Sequence, residues 1–325
     1  MLELVKQGSI EYFAAAPWRA YPFLTHAFCT RRGGVSEGAF ASLNMSLKQG
    51  DNDENIRKNW DLVAAAFGVS MENFFQVHQV HGDRILTIDD AASQTFDPWP
   101  REYDAIITNR PGLALCVKTA DCVPVLMVDT EKRIVAAVHA GWRGTALNIS
   151  GKVLRLLSDR YGTRSQDVQA AIGPAIGACC YEVDATVYEA MESQPARDEI
   201  FTPRSESRSG SGAGSGSKSG MGTKTGMKTE TGTEAGMAKW KLNLALANRH
   251  QLQDLGVPGE NIHNADLCTS CASEWFYSHR KEGGITGRLL NFIMLNDNGC
   301  HALEMASLRL PLLRAGTDGY CCRSS

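Results

Sequence analysis

Cys122 and His139 are the two residues of this chain whose types and spacing most directly suggest chemistry. They lie in Thr119-Ala120-Asp121-Cys122 and Val138-His139-Ala140-Gly141-Trp142-Arg143-Gly144. A thiolate beside an imidazole can share a Zn²⁺ ion. The same pair can act as nucleophile and base in a cysteine hydrolase. It can also be a buried, inert thiol next to a satisfied core histidine. The polar flanks favour chemistry, because small residues and a cation after a strand let a ligand approach the backbone. A metal site needs a third ligand, and Gln76-Val77-His78-Gln79-Val80-His81-Gly82 offers two histidines. Their spacing of three puts them on opposite faces of a strand, so one of them at most joins a site. His81, next to Gly82, has the better access.

The elements that must position this pair can be read locally. Two apolar runs flank the polar turn Asp129-Thr130-Glu131-Lys132, the pattern of a hairpin of two buried strands. Opposed residues in an antiparallel pair have a constant index sum. A turn centred between Thr130 and Glu131 gives a sum of about 261, the value shared by Cys122 and His139, which sets their Cβ atoms about 5 Å apart. Pro124 implies that pairing starts near it, at an edge or bulge.

Elsewhere, apolar residues at helical spacing predict a helix capped by Asp53, carrying Ile56, Trp60, Val63 and Phe67 on one face and stopped by Gly68. Further helices are expected at 146–161, after Asp184, and at 242–255. Strands are expected at 84–88, 105–108, 114–117, 123–128, 134–138 and 289–295. Several are joined without room for a helix, which favours antiparallel or mixed pairing over a pure βαβ series.

The chain has 325 residues, 43% of them hydrophobic, and a net charge of −3. That balance gives no sign of a nucleic-acid or membrane partner. The N-terminus lacks the pattern of a signal peptide, and the longest apolar region is broken by Lys118 and Asp121, so no membrane span is expected. Ten cysteines without a secretory signal are read as thiols of a cytoplasmic protein. Residues 204–238 are rich in Gly, Ser and Thr and nearly free of large apolar side chains, so they cannot offset the entropy of ordering. They are expected to be a flexible insert in one discontinuous catalytic domain, 1–203 and 239–295, followed by a tail at 296–325. No signal for an oligomeric state is present.

Taken together, THAFCTRRGGVSEGAFASLNMS, QVHG, TADCVPVLMVD, VHAGWRG and AIGPAIGACCYEV resemble the laccase-domain, or polyphenol oxidase-like, family. The resemblance runs from about Ile10 to Leu295, outside the insert. It implies an α+β fold of layered sheets flanked by helices. It also implies a Zn²⁺ site formed by His81, Cys122 and His139, so it selects His81 over His78. The implied activity is phosphorolysis of purine nucleosides (adenosine, inosine, guanosine and methylthioadenosine), with adenosine deamination at the same site. Arg31 and Arg143 are the candidate phosphate ligands, since a guanidinium beside glycine-rich backbone clamps an oxyanion. Asn44 matches a recurrent family position and is either a substrate contact or a turn residue bonding its own backbone.

Three rival functions remain open at this level. A true multicopper laccase needs more histidines than the eight present, although copper can occupy a His/Cys site in vitro. The others are the cysteine hydrolase and a non-enzymatic binding protein. Cys268-Thr269-Ser270-Cys271 is a lone CxxC without a second pair at zinc-finger spacing, and Cys179-Cys180 are expected to pack beside the Gly173-Pro174 turn. Tyr277, Arg280 and Arg288 are candidates to line or support the site.

Overall fold

The computed structural model describes residues 1–47, 49–89, 102–203 and 239–297. The expected insert at 204–238 and most of the expected tail, 298–325, lie outside the described residues. In chain order the strands are β1 (Leu2–Gln7), β2 (Ile10–Ala15), β3 (Leu24–Cys29), β4 (Phe74–Gln76), β5 (Ile85–Ile88), β6 (Ala105–Thr108), β7 (Ala114–Thr119), β8 (Val123–Asp129), β9 (Ile134–Ala140), β10 (Val168–Ile172), β11 (Glu182–Val183), β12 (Phe201–Pro203), β13 (Trp240–Leu242), β14 (Ile262–Asn264) and β15 (Leu289–Leu295). The helices are α1 (Asp53–Phe67), α2 (Trp142–Ala146), α3 (Ile149–Tyr161), α4 (Ala185–Ala190), α5 (Arg197–Ile200) and α6 (Leu244–Asp254).

The strands form two six-stranded sheets, β1-β2-β3-β15-β7-β4 and β14-β10-β8-β9-β6-β5, and a small sheet, β11-β13-β12. Pairing is mostly antiparallel; β4 with β7, β5 with β6 and β10 with β14 are parallel. The fold is therefore α+β with layered, mixed sheets flanked by helices.

Period-two alternation explains the layering. Leu126, Val128, Val135 and Ala137 face Leu115, Val117 and Ile293 across the gap between the two large sheets. Val125, Met127, Ala136 and Val138 turn the other way, onto α3 and α6. On the far side, Phe292, Leu290 and Cys116 pack on Ile56, Trp60 and Val63 of α1. Strands β8 and β9 are buried on both faces, which is why their sequences run almost unbroken in apolar residues.

Several local expectations shift. Asn52, not Asp53, caps α1, accepting from the Glu54 amide, while Gly68 ends it in the left-handed region. The helix expected at 146–161 begins at Ile149, because Asn148 before it takes a positive φ of 60°, a conformation Asn tolerates better than most residues; the short α2 precedes it. The hairpin sum is 263 rather than 261, with Pro124 opposite His139 and Val123 opposite Ala140. The Asp129 carboxylate accepts from the Glu131 and Lys132 amides, and Arg133 takes a positive φ of 54°, so the four-residue turn lies one residue later than expected. A shift of two in the sum preserves parity. His139 therefore still lies on the face shared with Leu126 and Ala137, while Cys122 sits just before β8. Pro124 lies in an interior strand, not at an edge, but β10 stops pairing at Val125, so its missing N–H leaves no gap.

No helix among the described residues is long and apolar enough to cross a membrane. Strands β12 and β13 pair antiparallel with Pro203 opposite Trp240, so the chain leaves and rejoins at neighbouring points. Deleting Ser205 to Gly236 would leave a four-residue hairpin loop between those strands. Loop length changes stability by only about 0.6 kcal/mol per doubling. The deletion variant is expected to be at least as stable as the full chain, by up to about 2 kcal/mol, and to retain its turnover. Denaturant unfolding and an activity assay check this; a large loss of either gives the insert a role in the domain.

Candidate metal centre

The loop after β4 carries His81, whose φ of 61° is in the left-handed region. The carboxylate of Asp104, fully buried just before β6, permits this turn. It accepts hydrogen bonds from the amides of Val80 (3.2 Å), His81 (3.0 Å) and Gly82 (2.7 Å). Its Oδ1 also lies 2.8 Å from Nδ1 of His139. Nδ1 is thereby engaged, and Nε2 of His139 is left to face the site.

Cys122 comes to the same place from the other side. Asp121 takes a φ of 85°, bending the chain between β7 and β8. Its side chain accepts from Thr269 Oγ1 at 2.6 Å and from the Arg280 amide at 2.7 Å. The ligand atoms of His81, Cys122 and His139 all lie within 4.8 Å of one another. His81 is exposed, Cys122 half-buried and His139 buried, so the cluster is open on one side. Gly141 and Gly144 of the HAGWRG motif are needed for contact. A Cβ at Gly141 would lie 3.0 Å from Cδ2 of His81 and 3.1 Å from the Cys122 sulfur. One at Gly144 would lie 2.8 Å from the Gly82 carbonyl oxygen.

The electrostatics bind these groups to one another. Burial would push the Cys122 thiol up, but His139 and His81 outweigh it and bring it down to about 6. Burial would likewise lower His139, yet Cys122 and Asp104 raise it to about 9. Burial would raise Asp104, but His139 and the Gly82 and Val80 amides hold it below its ordinary value. Each of the two groups favours the charged form of the other, so near neutral pH the metal-free pair is drawn towards thiolate and imidazolium. The donor set suits a metal. Zn–S bonds of about 2.3 Å and Zn–N bonds of about 2.0–2.1 Å put tetrahedral donors about 3.3–3.8 Å apart, within small side-chain adjustments of this cluster.

The other expected residues fall at different distances from this chemistry. Arg143 is exposed at the start of α2, its guanidinium 4.2 Å over the Trp142 ring. Arg31 is held by several neighbours. It donates to the Ala41 and Ser273 carbonyls and to Glu282, stacks on Tyr277, and lines an open cleft that none of the three cluster residues lines. Asn44 bonds the backbone of its own turn. It is fully buried, donates to the Ser46 carbonyl and Asp51, and accepts from the Ser46 and Arg288 amides. It thereby anchors Arg288, whose cation is within electrostatic reach of Cys122 and Asp121. His78 pairs its backbone with Glu102 and is not in the cluster.

Asp104 and Tyr181 escaped the sequence reading. A lone acid at the head of the apolar run 105–108 was the available signal for Asp104. Tyr181 lies in the AIGPAIGACCYEV motif, which is its signal; its phenol is pushed up to about 12 by burial and then by Cys122, with Arg280 and Arg143 opposing. Its neighbours are therefore the cluster's own groups.

With this geometry in hand, the family profile described as "Multi-copper polyphenol oxidoreductase laccase" matches residues 25–214 and 217–296. The chain belongs to this family. Among its relatives, the purine nucleoside phosphorylase of Bacteroides thetaiotaomicron is 35% identical over 281 residues, covering 85% of this chain and 93% of that protein. The purine nucleoside phosphorylase YlmD of Geobacillus stearothermophilus is 34% identical over 268 residues, covering 81% and 87%. The crystal structure of Geobacillus stearothermophilus YlmD superposes with a TM-score of 0.73 at 31% identity, covering 90% of this chain and 99% of that one. A hypothetical protein, YfiH, of Bacillus licheniformis also gives 0.73 at 31%, over 89% and 97%.

Two outcomes follow for this laccase-domain centre. Asp104→Asn should lower metal affinity about 10- to 100-fold, because the group that orients His139 is weakened; competition with a chromophoric chelator measures it, and unchanged affinity would remove Asp104 from the centre. In metal-free protein, alkylation of Cys122 should hold a plateau above about pH 7 and fall below about pH 6, since a lowered thiol keeps its reactive thiolate to lower pH. His139→Gln should move that fall to higher pH. Mass mapping of the alkylated cysteine over a pH series checks both; a profile rising only near pH 9 would contradict the ion pair.

Proposed function

We propose that this chain is a metal-dependent purine nucleoside phosphorylase that cleaves adenosine, inosine, guanosine and methylthioadenosine, with slower deamination of adenosine at the same site. The observation that carries the reading is the open cluster of His81, Cys122 and His139 with Arg143 and Tyr181 around it. The names of the similar Bacteroides and Geobacillus proteins support it.

His81, Cys122 and His139 would hold the ion, zinc in this reading. When bound, zinc would supply a Lewis acid that polarises a water or a group on the base. Asp104 keeps Nδ1 of His139 occupied, so the imidazole offers a lone pair at Nε2. Arg143, exposed and able to bond bidentately, holds the phosphate dianion beside the ribose. Phosphate forms the new bond to C1′ as the N-glycosidic bond breaks, and the bonding pair leaves with the purine, which takes up a proton. Tyr181 keeps its proton at neutral pH and can donate a hydrogen bond to substrate. In the side reaction, water replaces the C6 amino group of adenosine and ammonia leaves. Arg31 and Asn44 are the further candidate phosphate and substrate contacts in this reading, and Asn44 also braces Arg288 by accepting from its amide. The thiols fit a cytoplasmic setting.

A second reading, copper-dependent oxidation of phenols, is favoured by the family's printed description and by a soft sulfur ligand in the cluster. Oxygen uptake with a phenol by copper-loaded protein, exceeding that of free copper and lost in Cys122→Ala, would establish it. Hydrolysis by a Cys122 thiolate with His139 as base is distinguished by its indifference to chelators.

The primary test is chromatography of inosine incubated with enzyme, with and without phosphate. Hypoxanthine and ribose 1-phosphate are expected only with phosphate. Equal hypoxanthine without phosphate means hydrolysis, and none in either sinks the phosphorylase reading. Arg143→Ala should cost phosphorolysis about 100-fold, the scale of one lost anion contact, and deamination much less.

A further inference from the structure

Four cysteines that the metal centre does not use meet at one point. Cys179, Cys180, Cys268 and Cys271 have sulfurs all within 4.8 Å of one another. The Cys271 sulfur lies 3.5 Å from that of Cys179 and 3.4 Å from that of Cys180. All four are free thiols and half-buried. Tetrahedral ligation at a Zn–S distance of about 2.3 Å requires sulfurs about 3.8 Å apart, so these spacings need little change.

The backbone supports the same purpose. In a strand, adjacent residues such as Cys179 and Cys180 would point to opposite faces. Here they lie in a turn, 178–180, and both reach the cluster. The CxxC segment folds back on itself, with the Ala272 amide donating to the Cys268 carbonyl. The Gly177 amide donates to the Cys268 sulfur at 3.2 Å. An N–H aimed at sulfur favours its anionic form, the form that binds metal. A Cβ at Gly177 would lie 3.1 Å from the Cys268 Cβ and 3.3 Å from the Cys179 sulfur, so this position must stay small. Lys241 donates to the Cys179 carbonyl at 2.9 Å, bringing a cation beside what would be a dianionic tetrathiolate centre.

We infer that Cys179, Cys180, Cys268 and Cys271 form a second, structural site for a zinc-class divalent cation. Four protein ligands leave no open position, which separates it in kind from the three-ligand centre. Its place in the fold says what it does. The two loops it would join are already bridged, Ala175 to Cys268, and both hold Asp121. The Ile176 amide donates to the Asp121 carbonyl and Thr269 to its carboxylate. The ion staples together the two loops that set the position of Cys122.

This inference does not depend on the proposed reaction, and its test is kept separate from it. Cys122→Ala protein is expressed with Zn²⁺ under reducing conditions, and its metal content is measured after gel filtration. About one zinc per chain is expected to remain. Alkylation followed by peptide mapping should find Cys179, Cys180, Cys268 and Cys271 protected together, then labelled together once a strong chelator is added. A Cys268→Ser, Cys271→Ser double variant of the otherwise native chain should lose that equivalent and melt earlier. Failure of the three-ligand centre would appear differently, as equal zinc in native and Cys122→Ala protein. The inference is overturned if Cys122→Ala holds no zinc and the four thiols react without chelator. It is equally overturned if mapping finds disulfides among them in protein kept reduced.

Discussion

The Asp104 carboxylate is fully buried, and a charge in that position persists only where hydrogen bonds replace its water. Three consecutive amides and His139 provide them. The Val80–Gly82 turn cannot relax without stranding that charge, and His139 cannot rotate without losing the partner of its Nδ1. One carboxylate thus sets the conformation of one histidine and the ring orientation of another. Because His81 and His139 come from different sheets' neighbourhoods, the same contact ties the chain after β4 to the end of β9.

Sheet packing makes that tie rigid. Strands β8 and β9 are enclosed on one side by the other large sheet and on the other by α3 and α6. A shift of either strand by one residue would turn Leu126 and Ala137 out of the inter-sheet layer and invert the face of His139. Close approaches then complete the fit: Gly173 admits the Phe28 ring where a Cβ would lie 2.2 Å from it, just beyond β10. The site is open, but the strands that deliver its ligands have no freedom to slide.

Much of this is legible in the amino-acid sequence. Strands 105–108 and 289–295 match the observed elements because buried strands announce themselves by uninterrupted apolar runs. Parity puts Cys122 and His139 on one face even though the turn lies one residue later than expected, since a change of two in the sum leaves faces unchanged. What was hidden depends on tertiary contact. Nothing near Asp104 tells of His139, 35 residues on. Nothing in Cys179-Cys180 tells of Cys271, 91 residues beyond Cys180. Asn44 and Arg31 sit in motifs that look like ligand-binding turns, yet each also bonds protein neighbours, Asn44 to Ser46 and Asp51 and Arg31 to Ala41, Ser273 and Glu282. A motif shows which residues matter; only the partners show whether one touches substrate or holds the residue that does.

The net charge of −3 also conceals the local field. Around Cys122, Arg288 is half-buried within reach of the thiolate, Arg280 stacks 5.0 Å over Tyr181, and Arg143 bears on the same phenol. Burial lowers Arg288, yet Cys122 and Asp121 oppose that fall, so the cation persists in a place with little water. Those two anions are in turn held by Thr269, the Arg280 amide and the histidines. An incoming dianion would find the negative charge of the centre already engaged and the exposed guanidinium of Arg143 still turned to solvent. In a chain that is acidic overall, Arg143, Arg280 and Arg288 thus gather positive charge beside the centre, and a small, doubly charged anion matches that cluster.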